Sequence, residues 1–123
     1  MTVQEAIERA DALKPNAYTD DVKYAWLSEL DGRIKEEIFD TRAGLEGTKT
    51  PEYSYENRTE HLLAPAPYSE MYVYWLFMKM DFMNGEFDRF NNDAMLYNTA
   101  YLAFSNHINR NHPPVKRTQM KNI

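Results

Sequence analysis

Cysteine is absent from this 123-residue chain, glycine occurs four times, proline six and histidine three. Without cysteine there is no disulfide scaffold, no thiolate metal site and no cysteine nucleophile, and nothing points to an oxidising compartment. Four glycines supply no phosphate-cradling loop, and no serine stands in a nucleophile-elbow pattern. No apolar run approaches the roughly 20 residues of a membrane span. The most apolar stretch, Met71 to Met83, is shorter and carries Lys79 and Asp81. The opening Met1-Thr2-Val3-Gln4-Glu5 has neither a basic start nor an apolar segment of secretory type, so an intracellular protein is expected.

The histidines also lack the company that chemistry needs. A di-iron bundle places a carboxylate three residues before a histidine, so that both ligands share a helical face. Here Arg58, Phe104 and Asn109 hold that position ahead of His61, His107 and His112. Asp81 to Asp88 contains Asn84-Gly85 in the manner of a calcium loop, but Met83 stands where a ligand is required. Glu36-Glu37 and the Glu86, Asp88 pair read as solvated helix ends, and Asn57-Arg58-Thr59 as a glycosylation acceptor without a secretion signal to use it. No catalysis, no metal and no cofactor is expected.

What the chain does have is aromatic weight: 14% of residues, nine of them Tyr, with seven Met besides. The mean hydropathy is nevertheless −0.71, so the bulky residues must be concentrated in part of the chain. Charge is uneven too. Residues 1–109 carry ten cations against nineteen acids, a net −9, while 110–123 carry Arg110, Lys116, Arg117 and Lys121 and no acid. An acidic body repels phosphate, which argues against a DNA-reading domain of the usual basic kind.

Four helices are predicted. Thr2-Val3-Gln4-Glu5 has capping-box form, and Val3, Ala6, Ile7, Ala10 and Leu13 follow on one face until Lys14-Pro15 stops the helix. Thr19 caps a second helix with Asp20 and Asp21 in its first turn; Val22, Trp26, Leu30, Ile34 and Ile38 line it, Glu29 can pair with Arg33, and it ends near Phe39. Residues 40–66, with Gly44, Gly47, Pro51 and Pro65, read as an extended loop and interaction arm in which Tyr53-Ser54-Tyr55 is a short strand candidate. Pro67 suits the first turn of a third helix that runs to Met83 and is closed by Asn84-Gly85. The fourth carries Phe87, Phe90, Ala94, Tyr97, Tyr101, Phe104 and Ile108 as a seam, with Asn91, Asn92, Asn98 and Asn106 off it, and His112-Pro113-Pro114 breaks it. The expected architecture is all-α: one helical domain over 1–110, a small bundle of about four helices, followed by a flexible basic tail over 111–123.

The third helix is apolar on every side. Either the other helices cover it, or part of it meets another subunit, and its methionines suit a surface that repacks. The second reading predicts an oligomer. A helix-turn-helix built from the first two helices is disfavoured, because its recognition helix holds Asp20, Asp21, Glu29, Asp31, Glu36 and Glu37.

Glu60-His61-Leu62-Leu63-Ala64-Pro65-Ala66-Pro67-Tyr68, then Tyr72-Val73-Tyr74-Trp75-Leu76, Gly85-Glu86-Phe87-Asp88-Arg89-Phe90-Asn91-Asn92, and Tyr97 to Pro114 together resemble the small head-tail connector (adaptor) proteins of tailed bacteriophages and prophages. These segments span about a third of the chain, and the order of elements extends the likeness over nearly all of it. The resemblance implies a structural virion protein, assembled in the bacterial host cytoplasm and located in the virion neck. Such a protein forms a homo-oligomeric ring beneath the portal protein, extends the DNA channel, lets DNA pass without specific binding, and docks the next neck or tail protein, with no membrane involved. Two different contact faces per subunit suit a ring, and an acidic wall lets DNA slide where Lys and Arg would grip it. Expected subunit or partner contacts are Tyr72, Trp75 and Met78 on the third helix and Tyr53, Tyr55 and Arg58 on the loop; expected portal or nucleic-acid contacts are Lys116, Arg117 and Lys121. The alternative is a small DNA-binding packaging protein such as a small terminase subunit.

Overall fold

A computed structural model describes residues 1–115. It begins with a reciprocal cap: the Glu5 N–H donates to Thr2 Oγ1 at 3.1 Å and the Thr2 N–H donates to Glu5 Oε1 at 3.0 Å. Helix α1 follows over Val3–Leu13, burying Val3, Ala6, Ile7 and Ala10, and Lys14-Pro15 ends it as predicted. Thr19 caps helix α2, Asp20–Glu37, by accepting from the Val22 N–H.

The buried face of α2 differs from the predicted stripe. A strict four-residue step advances about 400° in a helix of 3.6 residues per turn, so the stripe drifts round the axis. Val22 is therefore exposed, and Tyr24 and Leu27 share the interior with Leu30 and Ile34. Arg33 pairs with Glu37, at 2.7 Å, rather than with Glu29, which instead meets Lys79 of the third helix at 2.9 Å. Beyond Glu37 the backbone tightens into a 3₁₀ turn over Phe39–Thr41.

The connection from 42 to 69 is the irregular loop expected, and it is anchored on the bundle. Tyr53 is buried, Leu62 and Ala64 join the core, and Tyr55–Asn57 forms a 3₁₀ turn rather than a strand. The chain then lies antiparallel to the start of α1: Val3 donates to the Glu60 carbonyl at 3.0 Å, Gln4 to Arg58 at 2.9 Å, and Leu62 back to Met1 at 3.0 Å. The few apolar residues of this segment are enough to hold it down, because each takes a place in the bundle's own core.

Pro67 lies before the third helix, not in it. The Tyr68 N–H closes a turn on the Pro65 carbonyl across a cis Ala66–Pro67 bond, and helix α3 runs over Glu70–Met83. It ends where Gly85, at φ 72°, lets its own N–H reach the Phe82 carbonyl and the Glu86 N–H reach Asp81, a Schellman cap. Helix α4, Phe87–Asn111, packs lengthwise against α3, while α1 and α2 cover the opposite side of α3. This central place explains an all-apolar helix: Met71, Tyr72, Val73, Trp75, Leu76 and Met80 are all buried. Among the described residues the architecture is a four-helix bundle without strands, and no helix is long and apolar enough to cross a membrane.

The first residues of the tail expected from 111 onward are tied to the bundle. Asn111 is still helical, the Ala43 N–H donates to Pro113 at 2.8 Å, and the Val115 N–H donates to Thr41 at 3.0 Å, so 113–115 are tied to the segment leaving α2. Lys116, Arg117 and Lys121 lie outside the described residues.

Candidate functional site

Two polar clusters lie inside the bundle. Asp31, fully buried on α2, accepts from Tyr53 Oη at 2.5 Å, from Tyr72 Oη at 2.5 Å and from the Leu63 N–H at 3.1 Å, while Tyr72 Oη accepts from the Ala64 N–H. Burial pushes the Asp31 carboxyl above its ordinary value, and the donated hydrogen bonds pull the other way. Burial, reinforced by the Asp31 charge, raises both tyrosines. Every partner in this knot is a neighbouring part of the same core, so its chemistry is structural: it pins the 53–64 segment across α2 and α3.

The second cluster joins three helices at the bundle's other end. Lys14, just past α1, bonds Asp81 of α3 and stands 3.8 Å from Asp93 of α4, with its ammonium 5.0 Å from the centre of the Phe77 ring. Asp93 Oδ2 is buried without a hydrogen-bond partner. Desolvation first, and the adjacent Asp81 after it, push the Asp93 carboxyl up to about 7. Desolvation also acts on Asp81, but the hydrogen bonds from Asp93 and Lys14 and the Lys14 charge outweigh it and hold Asp81 below its ordinary value.

Outside these clusters, a cleft of about 420 Å³ is lined by polar residues of the 48–63 segment, among them Lys49, Glu52, Asn57, Glu60 and His61. Among the described residues no three His, Cys, Asp or Glu side chains are placed to hold a metal ion.

The unusual surface is on α4. From Phe90 to Asn109 the only Lys, Arg, Asp or Glu is Asp93, which points inward, in a protein where 27% of residues are charged. The outward side presents Met95 at 70% exposure, Leu96 at 49% and Leu102 at 59%, flanked by exposed Asn91, Asn92, Asn98, Thr99 and Asn106. These twenty residues run about 30 Å. Apolar residues are also exposed at the α3–α4 turn, where Phe82, Met83 and Phe87 cluster, with the Phe82 ring 6.3 Å from Phe87 and 5.6 Å from Phe90.

The expected contact residues separate into two groups. Tyr72 and Tyr53 belong to the Asp31 knot and offer no surface in this fold. Trp75 is nearly buried, donating its indole N–H to the Trp26 carbonyl at 2.7 Å, but with half-buried Met78 it lines a surface notch. Tyr55 is exposed, with the Arg58 guanidinium stacked 3.8 Å over its ring. The α4 seam holds at Tyr97, Phe104 and Ile108, yet Phe87 is exposed and Phe90 half-buried, with Phe82, itself exposed, packed beside them at the tip of α3. Met95, Leu96 and Leu102 were absent from the sequence expectation, although the long uncharged stretch that marks them is visible there. Compared with protein-family models, curated proteins and solved structures, the chain matches none.

Proposed function

We propose that this protein is a structural assembly subunit of the head-tail connector kind, not an enzyme. It forms a homo-oligomeric ring between a portal protein and the next neck or tail protein of a tailed phage or prophage, acting in the virion neck. The observation that carries this reading is the outward face of α4, exposed, uncharged over about 30 Å and studded with Met95, Leu96 and Leu102. Depletion of charge with enrichment of large apolar side chains, Met included, is the composition of an interface core. The surrounding acid suits a wall past which DNA slides, because net −9 over residues 1–109 offers phosphate few cations. Exposed Tyr55, with half-buried Arg58 stacked on its ring, fits a contact with a neighbour, and Lys116, Arg117 and Lys121 fit one with the portal.

Genes for a portal, a capsid protein and tail proteins are expected on either side of the gene for this chain. The portal encoded there, mixed with this protein, is expected to carry a stacked ring under electron microscopy. A neighbourhood without such genes overturns the reading. So does tight duplex-DNA binding that weakens with salt and is lost in the Lys116→Ala, Arg117→Ala, Lys121→Ala triple variant, the behaviour of a small terminase subunit.

A further inference from the structure

Two acidic copies of this chain repel where their acids face, so a surface free of charge is where they meet at the least electrostatic cost. The α4 ridge is one. It carries no cation to attract an acidic partner or nucleic acid, and no acid to attract a basic one. A second charge-poor surface lies elsewhere on the hairpin: a notch of about 250 Å³ lined by Trp75, Met78, Lys79, Phe82 and Phe90. Its one charge, Lys79, is already engaged by Glu29 at 2.9 Å and lies 4.7 Å from the centre of the Trp75 ring. Counting along α4, Met95 and Leu102 point about 120–140° away from Phe90, so ridge and notch face different directions. One is convex with protruding methionine and leucine; the other is concave and apolar, with room for such a side chain.

We infer that the α4 ridge of one copy seats in the α3–α4 notch of the next, a contact between two different faces of the same chain; this rests on the assembly reading above. Such a heterologous contact repeats from copy to copy, closing into a ring or running on as a filament, whereas ridge against ridge stops at a dimer.

Sedimentation velocity over a concentration series, on the full chain, tests it. Leu102→Glu on the ridge and Phe82→Glu in the notch each place an unpaired charge at the contact, and each is expected to weaken self-association at least tenfold. Both positions are exposed, so far-UV circular dichroism and the thermal midpoint stay near wild type; Met95→Glu and Phe82→Ser serve as second variants where one does not. Mixing the two glutamate variants is the decisive arm. Each retains the face the other lacks, so the mixture is expected to form a one-to-one pair that neither forms alone, and to stop there. Wild-type protein that stays monomeric up to about millimolar concentration overturns the inference. So does Phe82→Glu that associates as wild type while Leu102→Glu does not, which marks a symmetric ridge-to-ridge dimer. Rings on the portal that survive both substitutions overturn the ridge-in-notch contact and leave the connector reading standing.

Discussion

At the scale of residues, buried charge decides what neither composition nor spacing could. Tyr53 and Tyr55 stand one residue apart and look interchangeable in the sequence, yet Tyr53 bonds a fully buried carboxylate and Tyr55 lies 61% exposed. Only the position of Asp31, twenty-two residues earlier on another element, separates them. Asp93 is a similar case: nothing in its own helix marks it as buried beside Lys14 and Asp81. Its shift is upward, so between the ordinary carboxylate range and about 7 the folded protein holds a proton that the unfolded chain has released. The stability this provides is complete below that range and is lost as pH rises through about 7. Asp81 has the opposite sign: held low, its contribution is present above the ordinary range and is lost as pH falls below it. The charges acting on Asp93 are Lys14, Asp81 and Arg89, and both cations moderate the shift. The thermal midpoint is therefore expected to fall by a few degrees between about pH 5 and about pH 8. Asp93→Asn, which has no proton to lose, is expected to flatten that slope relative to wild type and to be the more stable protein at the alkaline end. Parallel midpoint curves for the two proteins would show that Asp93 does not set the slope.

Among the elements, ends were more legible than faces. The caps of α1 and α2 and the Asn84-Gly85 stop of α3 lie where the sequence put them, because a cap depends on two or three adjacent side chains. The buried face of α2 was misjudged because a four-residue stripe drifts round the axis, and the outer third of the α4 seam because burial depends on what stands opposite. A run of four-residue steps says nothing about where a neighbouring helix stops. The 40–66 segment is the loop expected, but its attachment to the core was not legible, its anchors Tyr53, Leu62 and Ala64 being too sparse to form a pattern. Two glycines isolate the local part of this logic. Gly85 caps α3 at φ 72°, a conformation that costs any residue with a Cβ about 1–2 kcal/mol, so Gly85→Ala is expected to destabilise by that amount. Gly32 sits inside α2 with no atom within 4 Å of an added Cβ. There alanine removes backbone freedom from the unfolded chain and clashes with nothing, so Gly32→Ala is expected to stabilise by roughly 0.5–1 kcal/mol. Urea unfolding of the two variants is expected to move the midpoint in opposite directions; a stabilised Gly85→Ala would remove the Schellman cap from the account of how α3 ends.

For the whole molecule, the distribution of charge matters more than its total. The chain is acidic over residues 1–109, basic beyond, and uncharged along one face of its longest helix. The first two were plain in the sequence. The third was present there as a run from Phe90 to Asn109 broken only by Asp93, but it becomes a surface only once Asp93 is known to point inward. This distribution sets the sign of a salt effect. Long-range repulsion between acidic copies falls as the Debye length shortens, from about 10 Å at 0.1 M to about 3 Å at 1 M, while an uncharged apolar contact loses nothing to screening. Self-association through α4 is therefore expected to strengthen, or hold steady, as sodium chloride rises across that range. Binding to nucleic acid through Lys and Arg moves the other way, because each neutralised phosphate releases a counterion and the affinity drops steeply with salt. Sedimentation of the protein alone, and duplex-DNA anisotropy in the same salt series, give the two slopes side by side. Association that dissolves as salt rises would mean that the copies meet through ion pairs, with the basic end of one chain on the acidic body of another, and the uncharged face of α4 would then be left for a different protein.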